Sequence, residues 1–250
     1  RKVKQSLLQE LYAELHWDAK EPEIRVQAIL SKVIQALDVD PSSPFQGRVL
    51  KADDTRTDVR CISLTSVFRA MEKTGFFIAK TKKGEVIEYG PLWDVDNKGT
   101  LRRTVRLLSA YFETIRGQAV VLWDLGSSEG GGLAMNDGVT VCINVLRSVL
   151  QHLGRKITLA DLSDDELVEV VSPFGRTVGA YFGAMTPEET VQFRALRGIQ
   201  GQTAGTRRVE EAIRRTELTF DPPGLSEFLE REKAQTTTSA FEVIQRIEKT

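Results

Sequence analysis

The stretch Asn136-Asp-Gly-Val-Thr-Val-Cys-Ile-Asn-Val-Leu-Arg-Ser-Val-Leu-Gln-His-Leu153 decides the fold. Its apolar residues Val141, Val145, Leu146, Val149 and Leu153 recur three and four apart, which is the period of a helix. The segment is so broadly apolar that it belongs at the centre of the molecule. Asn136 or Asp137 supplies its N-terminal cap, and Gly154 stands just beyond its last periodic residue.

The neighbouring segments carry the same period. Leu101, Val105, Leu108, Phe112 and Ile115 line a long helix that Thr100 caps and Gly117 ends. Between the two helices lie Ala119-Val-Val-Leu122, either a strand or a buried helical turn, and a flexible glycine loop, Gly126 to Gly132. Further back, Leu7, Leu8, Leu11, Tyr12 and Leu15 share one helical face. Pro22 opens a second helix with Val26, Leu30, Val33 and Leu37 inward, ending before the turn-rich Asp38 to Pro44. Phe45 to Leu50 can form a short strand, and Ser63 caps a helix running to Lys73 and stopped by Gly75. Residues 76–80 and 85–89 flank a turn at Gly84 and predict a β-hairpin. Towards the C-terminus, Ser163-Asp-Asp-Glu166 and Thr186-Pro-Glu-Glu189 are capping boxes. Further helices begin at Phe220-Asp-Pro-Pro223 and Ser239-Ala-Phe-Glu242. The expected architecture is mainly α: a multi-helix domain with a small β-hairpin and few strands. A loose division falls between 1–158, with the hairpin at about 76–89, and 159–250, although the two can also form one domain.

Composition bounds the function. Apolar residues make up 41% and charged residues 28%, and the net charge is −1, so no global field draws the chain to nucleic acid or membrane. Any nucleic-acid contact must come from a local patch. No run reaches the ~18 apolar residues of a membrane span, and no signal peptide is visible. Two cysteines, Cys61 and Cys142, with apolar neighbours, read as buried free thiols, which suits a reducing cytoplasm. The chain opens on Arg1 and runs directly into a helix, so it reads as part of something longer.

With two histidines and two cysteines in 250 residues, no metal site, cofactor site or nucleophile stands out. The most unusual segment is Arg197-Gly-Ile-Gln-Gly-Gln-Thr-Ala-Gly-Thr-Arg-Arg208. Gly198, Gly201 and Gly205 give a loop whose backbone can approach an anion, and Arg197, Arg207 and Arg208 flank it beside a helix expected from about Thr206. This loop is the candidate phosphate or nucleic-acid contact, DNA or RNA. The opposing reading is a linker with Gly198 capping the preceding helix. Arg214 and Arg215 pair with Glu210 and Glu211 at helical spacing. Arg102, Arg103 and Arg106 read as a solvated helix face. Glu129 in the glycine loop has no catalytic companion nearby, and Asp53-Asp54 and Asp164-Asp165 read as local structure. Trp17, Trp93 and Trp123 are scattered without basic interleaving, so no base-stacking platform is indicated. Arg147 and His152 match the Arg-x4-His spacing of metal-free HEPN ribonucleases, where such a pair could activate a ribose hydroxyl and stabilise phosphate charge. Five residues along a helix set them about 140° apart, which weakens that enzyme reading.

Four short elements resemble one family. Val3-Lys-Gln-Ser-Leu-Leu-Gln-Glu-Leu-Tyr12, Ser43-Pro-Phe-Gln-Gly-Arg48, Cys61-Ile-Ser-Leu-Thr-Ser-Val-Phe68 and Asn136-Asp-Gly-Val139 are similar to segments of the DGQHR-domain proteins, the family of DndB-like proteins. The likeness covers about residues 1–155. It implies the helical C-terminal part of such a protein, in DNA modification and phage defence, either nucleic-acid-associated or docking a partner. The Asp-Gly-Gln-His-Arg signature does not occur in this sequence. The resemblance therefore places it upstream of Arg1 and carries no functional residue onto this chain. A purely structural scaffold for that absent part is the third reading; apolar patches left exposed on the first two helices would support it.

Overall fold

The computed structural model describes residues 5–51, 54–80 and 86–215. Among these residues the protein is mainly helical. In chain order the elements are α1 (Gln5–Leu15), α2 (Pro22–Val39), β1 (Val49–Leu50), β2 (Ile62–Ser63), α3 (Leu64–Glu72), β3 (Ile78–Lys80), β4 (Val86–Tyr89), α4 (Asn97–Gln118), α5 (Val120–Asp124), α6 (Asn136–Leu153), α7 (Asp164–Gly183), α8 (Pro187–Ala195) and α9 (Gly198–Arg215). The helices expected at Phe220 and Ser239, and the hairpin turn before Gly84, lie outside the described residues.

The helix α6 is central, as its pattern predicts. Val139, Val141, Cys142, Ile143, Val145, Leu146, Val149, Leu150 and Leu153 are all buried. Around it α3, α7 and α9 pack, while α4 packs on both α2 and α7. The core runs without a break from Val26 in α2 to Val209 in α9. A division near residue 158 would cut it, because α7 lies along α4 from the other side of that boundary.

That α4–α7 contact is unusually close. Gly175, Gly179 and Gly183 stand four apart on α7 and face α4. A Cβ on Gly179 would sit 2.8 Å from the carbonyl oxygen of Ile115 and 2.9 Å from its Cα, and one on Gly183 would sit 2.2 Å from the carbonyl of Gln118. Only glycine lets the two backbones approach this far.

Several ends differ from expectation for local reasons. Asp96, not Thr100, caps α4: its carboxylate accepts from Gly99 N at 2.7 Å, while Thr100 Oγ1 donates back to Asp96 O inside the first turn. Asn136 begins α6 but does not cap it; its side chain instead accepts from Ser63 N at 2.6 Å. Helix α2 runs on to Val39, with Asp38 inside it. Of the stretch from Phe45 only Val49–Leu50 is strand, paired in parallel with Ile62–Ser63. Residues 120–124 are helical, settling the ambiguous run. The capping boxes at Ser163 and Thr186 both form in full. The strands β3 and β4 pair antiparallel with an irregularity after Ala79.

Three of the four elements quoted for the family resemblance meet in one place. Phe45 packs edge-on against Phe112 and Trp123, with centroids 4.7 and 5.5 Å away, pairs worth ~0.5–1.5 kcal/mol each beyond their burial. Trp123 Nε1 donates to Pro44 O, and the Arg48 guanidinium donates to Trp123 O and Asp124 Oδ1. Ile62 N donates to Arg48 O, Cys61 Sγ donates to Ala134 O, and Asn136 holds Ser63. These residues satisfy buried polar groups where three chain segments cross, which is a structural task.

Candidate functional site

The glycine–arginine segment is not a loop. Gly198, with φ +66°, turns the chain out of α8, and from there α9 is helical through Arg215. Gly201 and Gly205 are packing positions. A Cβ on Gly205 would meet Val141 of α6 at 2.9 Å and Leu196 at 3.3 Å, and one on Gly201 would meet the Leu196 backbone at 2.8 Å. Glycine recurs here because α9 approaches its neighbours closely, not because the backbone cradles an anion. The arginines also part company. Arg197 donates to Leu196 O and lies 3.5 Å from Asp137. Arg207 pairs with Glu211 at 2.7 Å. Arg208 turns to a separate apolar groove of ≈ 430 Å³ between α7, α8 and α9. There burial raises the Tyr181 phenol above its ordinary pKa, opposed in part by the Arg208 charge. The side chains of Arg214 and Arg215 lie outside the described residues.

A different assembly forms on the other side of α9. A groove of ≈ 820 Å³ between α3, α6 and α9 is lined by Arg69, Lys73, Arg147 and Arg207, with one carboxylate, Glu210. Asn144, Gln151, Gln202 and Thr203 add hydrogen-bonding groups to its walls. Asn144 Nδ2 donates to Thr206 Oγ1 at 3.4 Å, and Ser148 Oγ donates to Glu210 at 2.6 Å, so α6 and α9 are tied along the groove. Glu210 is thereby engaged by a hydroxyl. Arg69, Lys73 and Arg147 are exposed and have no carboxylate partner among the described residues. Three cations without a carboxylate partner among the described residues, against the single lining carboxylate Glu210, make the groove wall locally basic, which the net charge of −1 conceals.

This groove contains Gly198 and Arg207 of the predicted contact but not Arg197, Gly201, Gly205 or Arg208. Sequence reasoning missed Arg69 and Lys73. Their signal was present, two cations four apart on the polar side of a short helix, but a solvated face gives the same signal.

Arg147 lines the groove, and His152 follows it five residues on, in the last turn of α6. The cluster Arg102, Arg103 and Arg106 is consumed by structure. Arg102 pairs with Asp164 at 2.8 Å and with Asp94, and Arg106 pairs with Asp165. Arg103 is buried, contrary to the solvated face expected, and donates to the carbonyls of Leu159 and Leu162. Asp164 and Asp165 thus complete this junction as well as the first turn of α7. The glycine loop 126–132 is stapled rather than loose: Arg194 donates to the carbonyls of Ser127, Ser128 and Gly131, and Ser127 Oγ donates to Asp58 at 2.7 Å.

Comparison with protein-family models, with curated proteins and with solved structures returns no match.

No group of three or more metal-ligating side chains occurs among the described residues, and no described helix is long and apolar enough to cross a membrane. Cys61 and Cys142 are free and buried, and burial pushes both thiols up, Cys142 furthest. They are poorly suited to act as nucleophiles. Two of the three tryptophans have cations over their rings: Lys32 lies 5.3 Å from Trp17 and Arg25 lies 5.2 Å from Trp93. Both cations come from α2, so they are not interleaved in sequence. On α1, Leu8, Leu11 and Leu15 form an exposed stripe.

Proposed function

We propose that the protein is the helical part of a DGQHR-type protein that holds nucleic acid by its phosphate backbone in the groove between α3, α6 and α9. The observation that carries this reading is the convergence of Arg69, Lys73 and Arg147 from two helices, without carboxylate partners among the described residues, in one polar groove that also takes Arg207. Freed of internal partners, such cations exchange condensed counterions for contact with phosphate. The DGQHR resemblance supplies the setting, DNA modification and phage defence, and the two free thiols suit a reducing compartment such as the cytoplasm. The reading is of a binding module rather than an enzyme.

The test is a fluorescence-anisotropy titration of the whole chain with labelled DNA and RNA at several salt concentrations. The triple charge reversal Arg69→Glu, Lys73→Glu, Arg147→Glu should weaken binding to every sequence alike. The slope of log affinity against log salt should flatten by about 0.7–0.9 per lost phosphate contact. Arg208→Glu, on the far side of α9, should leave affinity unchanged. Wild-type affinity in the triple variant, with its fold intact by circular dichroism, would refute the reading. A second reading, docking of another polypeptide, is favoured by the exposed Leu8, Leu11 and Leu15 stripe on α1.

A further inference from the structure

We infer that the nucleic acid held in this groove is single-stranded, and that its bases enter the adjoining cavity and stack on Tyr89. The inference rests on the phosphate-groove reading above and deepens it. A second cavity of ≈ 960 Å³ lies among α2, the end of α3, the start of β3, the end of β4 and the C-terminal end of α6. It shares Lys73, Arg147 and Gln151 with the basic groove. Two cations therefore belong to both cavities, and a phosphate held by them sits where the two cavities adjoin.

That second cavity has the character a base requires. Tyr89 lines it and is 51% exposed. The ring is nonetheless held in place. It stacks on half-buried Trp93 with centroids 4.3 Å apart and planes 18° apart, and its hydroxyl accepts from Arg25 at 3.5 Å. The Arg25 guanidinium in turn lies over the Trp93 ring. An exposed aromatic ring fixed by a second ring and a cation is a preorganised stacking surface, because little rotamer entropy remains to be lost on binding. Gln27, Gln151 and Thr158 line the same cavity and can meet the polar edges of a base. Arg155 adds a further cation to the lining, which also holds two carboxylates, Glu23 and Glu72.

The chemistry favours a single strand over a duplex. Both offer phosphates to Lys73 and Arg147. Only an unpaired base can present its face to Tyr89, since the bases of a duplex are already stacked on each other. DNA and RNA strands share this chemistry, so the sugar is an outcome of the test.

The experiment measures affinity of the whole chain, at fixed salt, for four labelled ligands: oligodeoxyuridylate, oligouridylate, an abasic strand of the same length, and a duplex of the same length. The expected result is tighter binding of the strands that carry bases than of the abasic strand or the duplex. Tyr89→Ala should lose about 5- to 160-fold for those strands, the range of one base–aromatic stack, with no loss for the abasic strand. Tyr89→Phe should retain the affinity. The two base-carrying strands differ only in their sugar, so their relative affinity tells whether the sugar is read. If wild-type protein binds the abasic strand as tightly as the others, stacking is overturned without recourse to any variant. If Tyr89→Ala binds like wild type while the Arg69, Lys73 and Arg147 reversal abolishes binding, the stacking inference fails and the phosphate groove stands. If the reversal also leaves binding unchanged, both fall.

Discussion

Replacing Gly179 by alanine sets two opposite effects against each other. Alanine is the better helix former by ~0.8–1.0 kcal/mol in a helix interior, so on propensity alone the variant should be more stable. The new Cβ, however, would lie 2.8 Å from the Ile115 carbonyl oxygen, 2.8 Å from Gln118 Cβ and 2.9 Å from Ile115 Cα. Two of these three atoms are backbone and cannot rotate away. Ordinary carbon contacts begin near 3.5 Å, so α7 must retreat from α4 by about 0.6 Å. A gap of that size forfeits roughly a quarter to a half of each dispersion contact along the interface, and overpacking of this kind costs about 1–3 kcal/mol. With the cost at the upper end, because backbone is met, and propensity subtracted, Gly179→Ala should destabilise by about 2 kcal/mol. For a chain of this size that lowers Tm by about 4–8 °C. Gly117 in α4 is the internal control. A Cβ there meets nothing within 4 Å, so Gly117→Ala should gain up to ~1 kcal/mol and raise Tm by about 2–4 °C. Thermal unfolding followed by circular dichroism, with urea midpoints at 25 °C, reads both. The packing argument is wrong if the two substitutions shift stability in the same direction, or if Gly179→Ala melts at or above wild type.

Two further substitutions probe the polar junctions. Arg103→Leu removes a buried guanidinium together with its hydrogen bonds to the carbonyls of Leu159 and Leu162, of which Leu159 keeps only a long bond from Leu162 N at 3.4 Å; the loss should be about 3–5 kcal/mol in urea unfolding, and an unchanged midpoint would refute a stabilising role for the guanidinium. Asp58 is held below the usual carboxylate range by hydrogen bonds from Ser127 and Ser128. A depressed folded-state pKa gives stability that is fully present above the unfolded value near 3.9 and is lost as pH falls through the folded value. Asp58→Asn should therefore be less stable than wild type by a constant margin between about pH 5 and pH 8, a margin that closes below about pH 4. A margin that widens towards acid in parallel pH titrations of stability would reverse the sign of this account.

The helices were legible in the sequence where the signal is local. The period of α6 and the two capping boxes at Ser163 and Thr186 depend on residues within a turn or two, and all three are present in the structure. A hydroxyl before an apolar stripe points to Thr100 as the α4 cap. Asp96 takes the position because its carboxylate reaches Gly99 N and Thr100 can bond back to Asp96 O within the same turn. Glycine misled more deeply. Gly201 and Gly205 read as a loop, yet spacing by four is also what a helix shows when its backbone approaches another element, as Gly175, Gly179 and Gly183 do on α7. Spacing by four with helix-compatible residues between is the feature that separates the two uses.

The groove was illegible for a geometric reason. Its cations come from α3, α6 and α9, so no window of sequence contains them together. Arg147 invited a partner on its own helix, and His152 was the residue to hand, but the neighbours that share its cavity are Arg69, Lys73 and Arg207. The doublet Arg207-Arg208 carries the same lesson in its smallest form. Successive residues on a helix point about 100° apart, and these two serve different grooves, one basic and polar, the other apolar. A run of like charges in a helix therefore counts as a single site only where the charges are three or four apart. By that rule Arg69 and Lys73 were the stronger signal in this sequence, and the more conspicuous Arg207-Arg208 doublet the weaker.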